Sequence, residues 1–180
     1  ASGTGGGGNI RIGGGFQGRD ADVRNAETLV IDDGAEIRAD ALASGSGGQV
    51  ILWSDGNTLF GGDISAQGVS RGGFVEVSGK EGLGFHGTVS TLAADGTAGT
   101  LLLDPTNGTI SNLPDNHGGS PFNINAGNLA TALLSNNVVI STPASGADRG
   151  NLTFQSDVLW DSAFSLAALA HGTIEFQSSV

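Results

Sequence analysis

Six times along the chain a glycine is followed by the pattern x-apolar-x-apolar. The copies are Gly8-Asn9-Ile10-Arg11-Ile12, Gly48-Gln49-Val50-Ile51-Leu52, Gly73-Phe74-Val75-Glu76-Val77, Gly99-Thr100-Leu101-Leu102-Leu103, Gly150-Asn151-Leu152-Thr153-Phe154 and Gly172-Thr173-Ile174-Glu175-Phe176. The second and fourth residues after each glycine are Val, Ile, Leu or Phe. The first and third are mixed and include Arg11, Glu76 and Glu175. Alternation at period two predicts half-buried strands with the second and fourth side chains inward and the others outward.

The glycines are 40, 25, 26, 51 and 22 residues apart. Three gaps lie near 25 and one is close to twice that, as expected of a strand-rich repeat punctuated by glycine. Each unit holds two further short strand candidates. Thr58–Phe60 and Asp63–Ala66 follow the second copy, Leu83–Phe85 and Thr88–Ser90 the third, and Thr28–Ile31 and Glu36–Ala39 fill the same places after the first. Three strands per unit, separated by Gly, Asn, Asp and Ser corners, predict a parallel β-helix. Rungs stack about 4.8 Å apart, which puts Val50 over Val75 over Leu101 in a rod of about seven coils, roughly 30 Å long.

Residues 104–149 break this rhythm between the regular coils of 1–103 and the further coils of 150–180, all in one continuous domain. Asp104-Pro105-Thr106-Asn107-Gly108 reads as a turn, because Pro fixes φ and Asn-Gly favours positive φ. Ser111–Ser120, with Pro114 and His117, reads as a protruding loop, and Ser141–Gly150 as another. Asn128–Asn136 spaces Leu129, Ala132 and Leu133 for one short helix lying on the rod. Asn137–Thr142 resumes strand character, and Asp161–Ala170 is expected to be strand-rich.

Composition agrees with a turn-rich all-β chain. Glycine fills 32 of 180 positions, charged residues make up only 14%, and 38% of the chain is apolar. That apolar share argues against disorder, and the glycines keep no collagen period. The net charge of −11, with Lys80 the one lysine beside six arginines, makes nucleic acid and anionic lipid poor partners. Without cysteine there is no disulfide, thiolate metal site or thiol nucleophile. No stretch approaches the length of a membrane helix. The chain begins at Ala1 with no signal peptide and reads as a piece of something longer.

The run Gly47-Gly48-Gln49-Val50-Ile51-Leu52-Trp53-Ser54-Asp55, the following Gly72–Lys80, the segment Thr100-Leu101-Leu102-Leu103-Asp104-Pro105 and the tail Asn151–Phe176 with Trp160 resemble coils of two-partner-secretion exoproteins. These are the filamentous haemagglutinin-like adhesins and large haem-utilisation exoproteins of Gram-negative bacteria. The resemblance covers most of the chain. It implies a right-handed parallel β-helix, export through an outer-membrane transporter of the two-partner type, and residence at or beyond the cell surface. It also implies a host or neighbouring-cell surface protein or glycan as binding partner. The family's secretion domain carries Asn-Pro motifs, and no Asn-Pro occurs here. The segment therefore resembles stalk or passenger.

Candidate chemistry is sparse. Asp32 with Asp33, Asp55, Asp63, Glu76 and Glu81 are the candidate carboxylates and His86 the candidate base of a polysaccharide-active enzyme. The Asp pairs and basic motif that accompany such a histidine are missing, so solvated corner or ladder positions are expected; His117 and His171 fare no better. Gly61-Gly62-Asp63 is a fragment of a calcium repeat, so adventitious calcium is the most expected, with no cofactor and no built metal site. Asn107-Gly108-Thr109 and Asn151-Leu152-Thr153 are candidate glycosylation sequons, Asn151 outward. Trp53, Phe74 and Leu102 are candidate surface contacts: Trp53 is expected outward or on a corner, and Phe74 and Leu102 as an apolar ladder beside Ile51, free for a protein contact or covered by the Asn128–Asn136 helix. The expected function is a non-catalytic adhesin or stalk segment. The alternatives are a subunit stacking end to end into extracellular filaments and, further off, a polysaccharide-binding or -degrading protein.

Overall fold

Inward alternation sets the strands. In the computed structural model, which describes residues 1–115, 122–143 and 148–179, the chain is mostly β, built from parallel sheets with one α-helix. The first repeat supplies β1 (Asn9–Ile12), a 3-10 turn at Phe16–Gly18, β2 (Leu29–Ile31) and β3 (Glu36–Arg38). The next two give β4 (Gln49–Ser54), β5 (Asn57–Phe60), β6 (Asp63–Ser65), then β7 (Phe74–Gly79), β8 (Gly82–Phe85) and β9 (Thr88–Ser90). There follow β10 (Thr100–Leu103), β11 (Gly108–Ser111), β12 (Phe122–Asn125), α1 (Ala126–Ala132) and β13 (Asn137–Thr142). The chain closes with β14 (Leu152–Phe154), β15 (Leu166–Ala170) and β16 (Ile174–Phe176).

Four parallel sheets result, ordered β1-β4-β7-β10-β13-β15, β2-β5-β8, β3-β6-β9 and β12-β11-β14-β16. Val50 pairs with Val75 and Val75 with Leu101, as the spacing predicts, and the row continues into Val138 and Leu166. Its neighbour row runs Ile12, Leu52, Val77, Leu103, Ile140 and Ala168. From Val50 to Leu103 these inward residues are fully buried. Phe60 and Phe85 stack opposite them from β5 and β8, ring centroids 5.7 Å apart.

Sheet membership differs from the sequence expectation in two places. Only the first four glycine repeats lie in the main sheet; Leu152–Phe154 pairs with β11 and Ile174–Phe176 with Leu152–Phe154 in a separate sheet. The main sheet continues instead through Asn137–Thr142 and Leu166–Ala170 and stops at six strands, one short of the seven rungs expected. Alternation reports which side of a strand is buried, and any sheet over the same core satisfies it equally.

The helix forms two to four residues earlier than the spacing predicts. Asn125 caps it, its Oδ1 accepting from the backbone N–H of Gly127 at 2.9 Å and of Asn128 at 3.2 Å, which satisfies donors a helix start leaves unpaired. Leu129 and Ala132 are buried as expected. The helix packs against β9 and β12. The loops around 111–120 and 141–150 are described only at their ends, and His117 lies outside the described residues.

Candidate functional site

The outward row beside the core ladder reads Ile51, Glu76, Leu102, Val139 and Ala167. A glutamate in an aliphatic row would be solvated on a bare sheet, as expected from its outward position. Here it is fully buried, because the segment between β1 and β2 folds back over this face. The N–H of Ala26 donates to the carbonyl of Gly13 at 2.7 Å, so residues 14–25 form a closed loop of the Ω type, a class often used in function.

The loop is made to lie close. A Cβ on Gly14 would sit 2.6 Å from the Trp53 ring and one on Gly18 2.5 Å from it, so only glycine lets the backbone rest on the indole. Phe16 meets Phe74 edge-on at 5.8 Å. Asn25 Nδ2 donates to the Gly18 carbonyl and to Asp55 Oδ1, both at 3.0 Å, and Asp55 Oδ1 also accepts from Trp53 Nε1 at 3.2 Å. Arg11 pairs with Asp20 at 2.8 Å on the open side.

At the loop's tip Gln17 holds two buried acids. Its backbone N–H donates to both Glu76 oxygens at 3.2 Å, and its Nε2 donates to Asp104 Oδ2 at 2.9 Å. Asp104, just past β10, is 3% exposed. Gln17 does this from φ = 52°, the one positive φ on a non-glycine residue among those described, a conformation that strains a side-chain-bearing residue. Burial pushes the Glu76 carboxyl up to about 7; the Gln17 N–H and nearby Ser78 hydroxyl pull it back and the Asp104 charge adds to the rise. Burial likewise raises Asp104, opposed by the Gln17 amide, the Arg19 charge and the Ser141 hydroxyl. Asp104 Oδ1 is buried without a hydrogen-bond partner among the described residues. Beside the pair a cleft of about 260 Å³ opens between Gln17, Arg19, Asp55, Lys80 and Thr106.

This cover overturns two of the expected surface contacts. Trp53 and Leu102 do face outward, yet each is only 7% exposed, and the 14–25 loop lies over Trp53. Phe74 is half-buried against Phe16 and pairs in register with Gln49 and Thr100. It therefore makes no ladder with Leu102, whose register partners are Glu76 and Val139. Trp160 is half-buried, its Nε1 donating to the Phe164 carbonyl at 2.9 Å.

Most other candidates stay apart. His86 Nε2 lies 3.2 Å from Asp33 Oδ1 with both side chains well exposed, and Asp32, Asp63, Glu81 and His171 are exposed. Asp63 accepts a bond from Thr88 Oγ1. No group of three metal-binding side chains occurs among the described residues. The two sequon asparagines form a ladder: Asn107 Oδ1 accepts from the N–H of Asn151 at 2.8 Å, and Asn151 Oδ1 from that of Thr173 at 2.9 Å. Asn151 is exposed, as its outward position predicts.

The Glu76–Asp104 pair escaped the sequence reading because its cover comes from far away along the chain. The available signal was an acid inside an outward row otherwise filled by Ile51, Leu102 and Val139. No helix is long and apolar enough to cross a membrane among the described residues. Comparison with protein families gives no match, and comparison with curated proteins gives none either.

Proposed function

We propose that the chain is a non-catalytic segment of a secreted or cell-surface bacterial exoprotein, acting in adhesion or as the stalk that presents adhesive regions. In this reading it folds as a right-handed parallel β-helix with about 25 residues per coil. The observation that carries the proposal is the order of the sheets. β1-β4-β7, β2-β5-β8 and β3-β6-β9 advance together, one strand per repeat and in register. Such stacking makes a long, stiff object from short sequence units, which suits a spacer.

The resemblance of the Gly47–Asp55, Gly72–Lys80 and Thr100–Pro105 runs to two-partner-secretion exoproteins supplies the rest: a two-partner transporter for export and a cell-surface protein or glycan as binding partner. A chain without cysteine and with net charge −11 suits export and disfavours nucleic acid.

A second reading, a filament subunit, draws on the last strands. Among the described residues β15 and β16 each pair on one side, and Leu169 and Phe176 are 57% and 55% exposed. Open apolar edges recruit further strands.

Negative-stain electron microscopy and light scattering across a concentration series test both. Discrete monomeric rods at every concentration are expected. Fibres that lengthen with concentration would transfer the function to the filament reading. Release of reducing sugar from polysaccharide would overturn the non-catalytic assignment.

A further inference from the structure

We propose that the loop 14–25 is a proton-operated cover: it stays docked on the sheet while Glu76 is protonated and lets go once Glu76 and Asp104 are both ionised, baring Trp53 and the neighbouring Ile51.

The geometry makes Gln17 the latch. One residue contributes both of the loop's hydrogen bonds to the acid pair, and it does so from a strained backbone. The loop's other holds on the sheet are the Phe16–Phe74 edge contact, the packing of Gly14 and Gly18 on Trp53, the Asn25–Asp55 bond and the Arg11–Asp20 ion pair on the open side. None of these lies over the acids. Two ionised carboxylates enclosed together repel each other and forgo hydration, and three N–H···O contacts from one residue are a small return for that. With Glu76 protonated, the pair carries one charge and the acid hydroxyl gains a donor's role.

The charged groups around the pair come from every element packed there. Arg19 and Asp20 lie on the loop, and Arg11 stands on β1 in register with Ile51. Asp55 follows β4, Lys80 follows β7, and Asp104 follows β10. Arg11 is engaged by Asp20, and Arg19 acts on Asp104. Among the described residues Glu76 itself receives no ion pair. Its ordinary value of 4.5 becomes about 7 under the cover, so the docked loop binds a proton that the open loop does not between those limits. Opening must then become easier as pH rises through that window and level off above it.

Release would uncover an indole beside an aliphatic side chain, the type of surface on which protein partners anchor. That makes the loop a gate between a passive rod face and a sticky one. It does not depend on whether the chain is a stalk or a filament subunit.

The test is hydrogen exchange of the Gln17 and Gly18 amides in the intact chain from pH 5 to 8, corrected for intrinsic exchange. The opening constant is expected to rise about tenfold per pH unit up to about 7 and then flatten. Amides of the inner rows of β7 and β10 should keep their protection throughout. Glu76→Gln should abolish the dependence and leave the loop docked at pH 8. Should that variant fold poorly, a carboxyl NMR titration of Glu76 in the unaltered chain serves instead, with a midpoint near 7 expected. Loop protection independent of pH, a pH dependence that survives Glu76→Gln, or a Glu76 midpoint at the ordinary carboxylate value would each overturn the proposal.

Discussion

The backbone N–H of Gln17 lies 3.2 Å from both carboxylate oxygens of Glu76, across 59 residues of sequence. Through this contact the first loop of the chain is bound to the third strand of the main sheet, and an acid on the outward side of that strand becomes part of an interior. The fold's inner rows would stand without it. The loop is a second layer added to one face.

Gln17 contributes in two separable ways, which substitution can distinguish. Gln17→Ala removes the amide that bonds Asp104 Oδ2, on a 3% exposed carboxylate whose Oδ1 already lacks a hydrogen-bond partner. Loss of about 1–3 kcal/mol is expected from the orphaned acceptor. Gln17→Gly loses the same amide but relieves φ = 52°, which is worth about 0.5–1 kcal/mol to glycine at such a position. Urea unfolding at pH 6 should rank the original above Gln17→Gly and that above Gln17→Ala. Equal stability of the two variants would mean that the backbone is not strained.

Global stability should carry the mark of Glu76 with a definite sign. Its carboxyl is raised in the folded chain to about 7 from 4.5, so between those values the native state holds a proton that the unfolded state has released. Stability must then fall as pH rises through the window and become flat above 7. Asp104, also raised by burial, pushes in the same direction. Glu76→Gln keeps the shape, accepts the Gln17 N–H and offers Ser78 Oγ a donor. At pH 4 it should match the original protein, and at pH 8 exceed it by at most about 3 kcal/mol. Chemical denaturation at the two pH values decides. A variant weaker than the original at pH 8 would show that the ionised pair is stabilising.

Two glycines separate crowding from backbone conformation. Gly18 has φ = +64° and its missing Cβ would lie 2.5 Å from the Trp53 ring, whereas Gly34 has φ = +81° and open space around it. Gly34→Ala should cost only the conformational penalty, about 1 kcal/mol. Gly18→Ala should cost more, because the loop must also lift from the indole. It should raise the accessibility of Trp53 to acrylamide quenching in a Trp160→Phe background. Unchanged quenching would mean that the loop absorbs the methyl without moving.

Much of the architecture was readable because burial acts residue by residue on an extended chain. The stacking of Val50, Val75 and Leu101 follows from alternation plus equal spacing. Which sheet each strand joins is a different kind of fact. Leu152–Phe154 has the same inward alternation as Leu101–Leu103, yet it pairs with β11, because the intervening chain adds strands and a helix and shifts the rung by one face. Trp53, Leu102 and Glu76 were placed on the correct side of their strands but with the wrong exposure. The cover over Trp53 and Glu76 begins at Gly14, where a glycine-rich run carries no periodicity to announce that it packs on anything. Its signal lay in the face it hides: one acid in an aliphatic row and a tryptophan beside it.

Asn136 ties the end of the helix to the edge of β9 and is fully buried. Its Nδ2 donates to the carbonyls of Val89 and Ala132, both at 2.8 Å, and its Oδ1 accepts from Thr91 Oγ1 at 2.8 Å. Asn136→Ala removes all three bonds and leaves the Thr91 hydroxyl without its acceptor, while Ser135 still donates to both carbonyls, through Oγ to Val89 and through its N–H to Ala132; it should cost about 1–3 kcal/mol. Asn136→Asp is nearly isosteric but aims a carboxylate oxygen at those same two carbonyls. At pH 7 it should therefore be the worse of the two, since a buried ionised acid facing two carbonyls, with the Thr91 hydroxyl donating to its other oxygen, is more costly than a small void. Protonation restores one donor, so at pH 4 the order should reverse, with the aspartate variant the more stable. Thermal unfolding of both variants at the two pH values measures the crossing. An order that stays the same would mean that water enters beside Asn136 and that the helix is anchored by the packing of Leu129 and Leu133 alone.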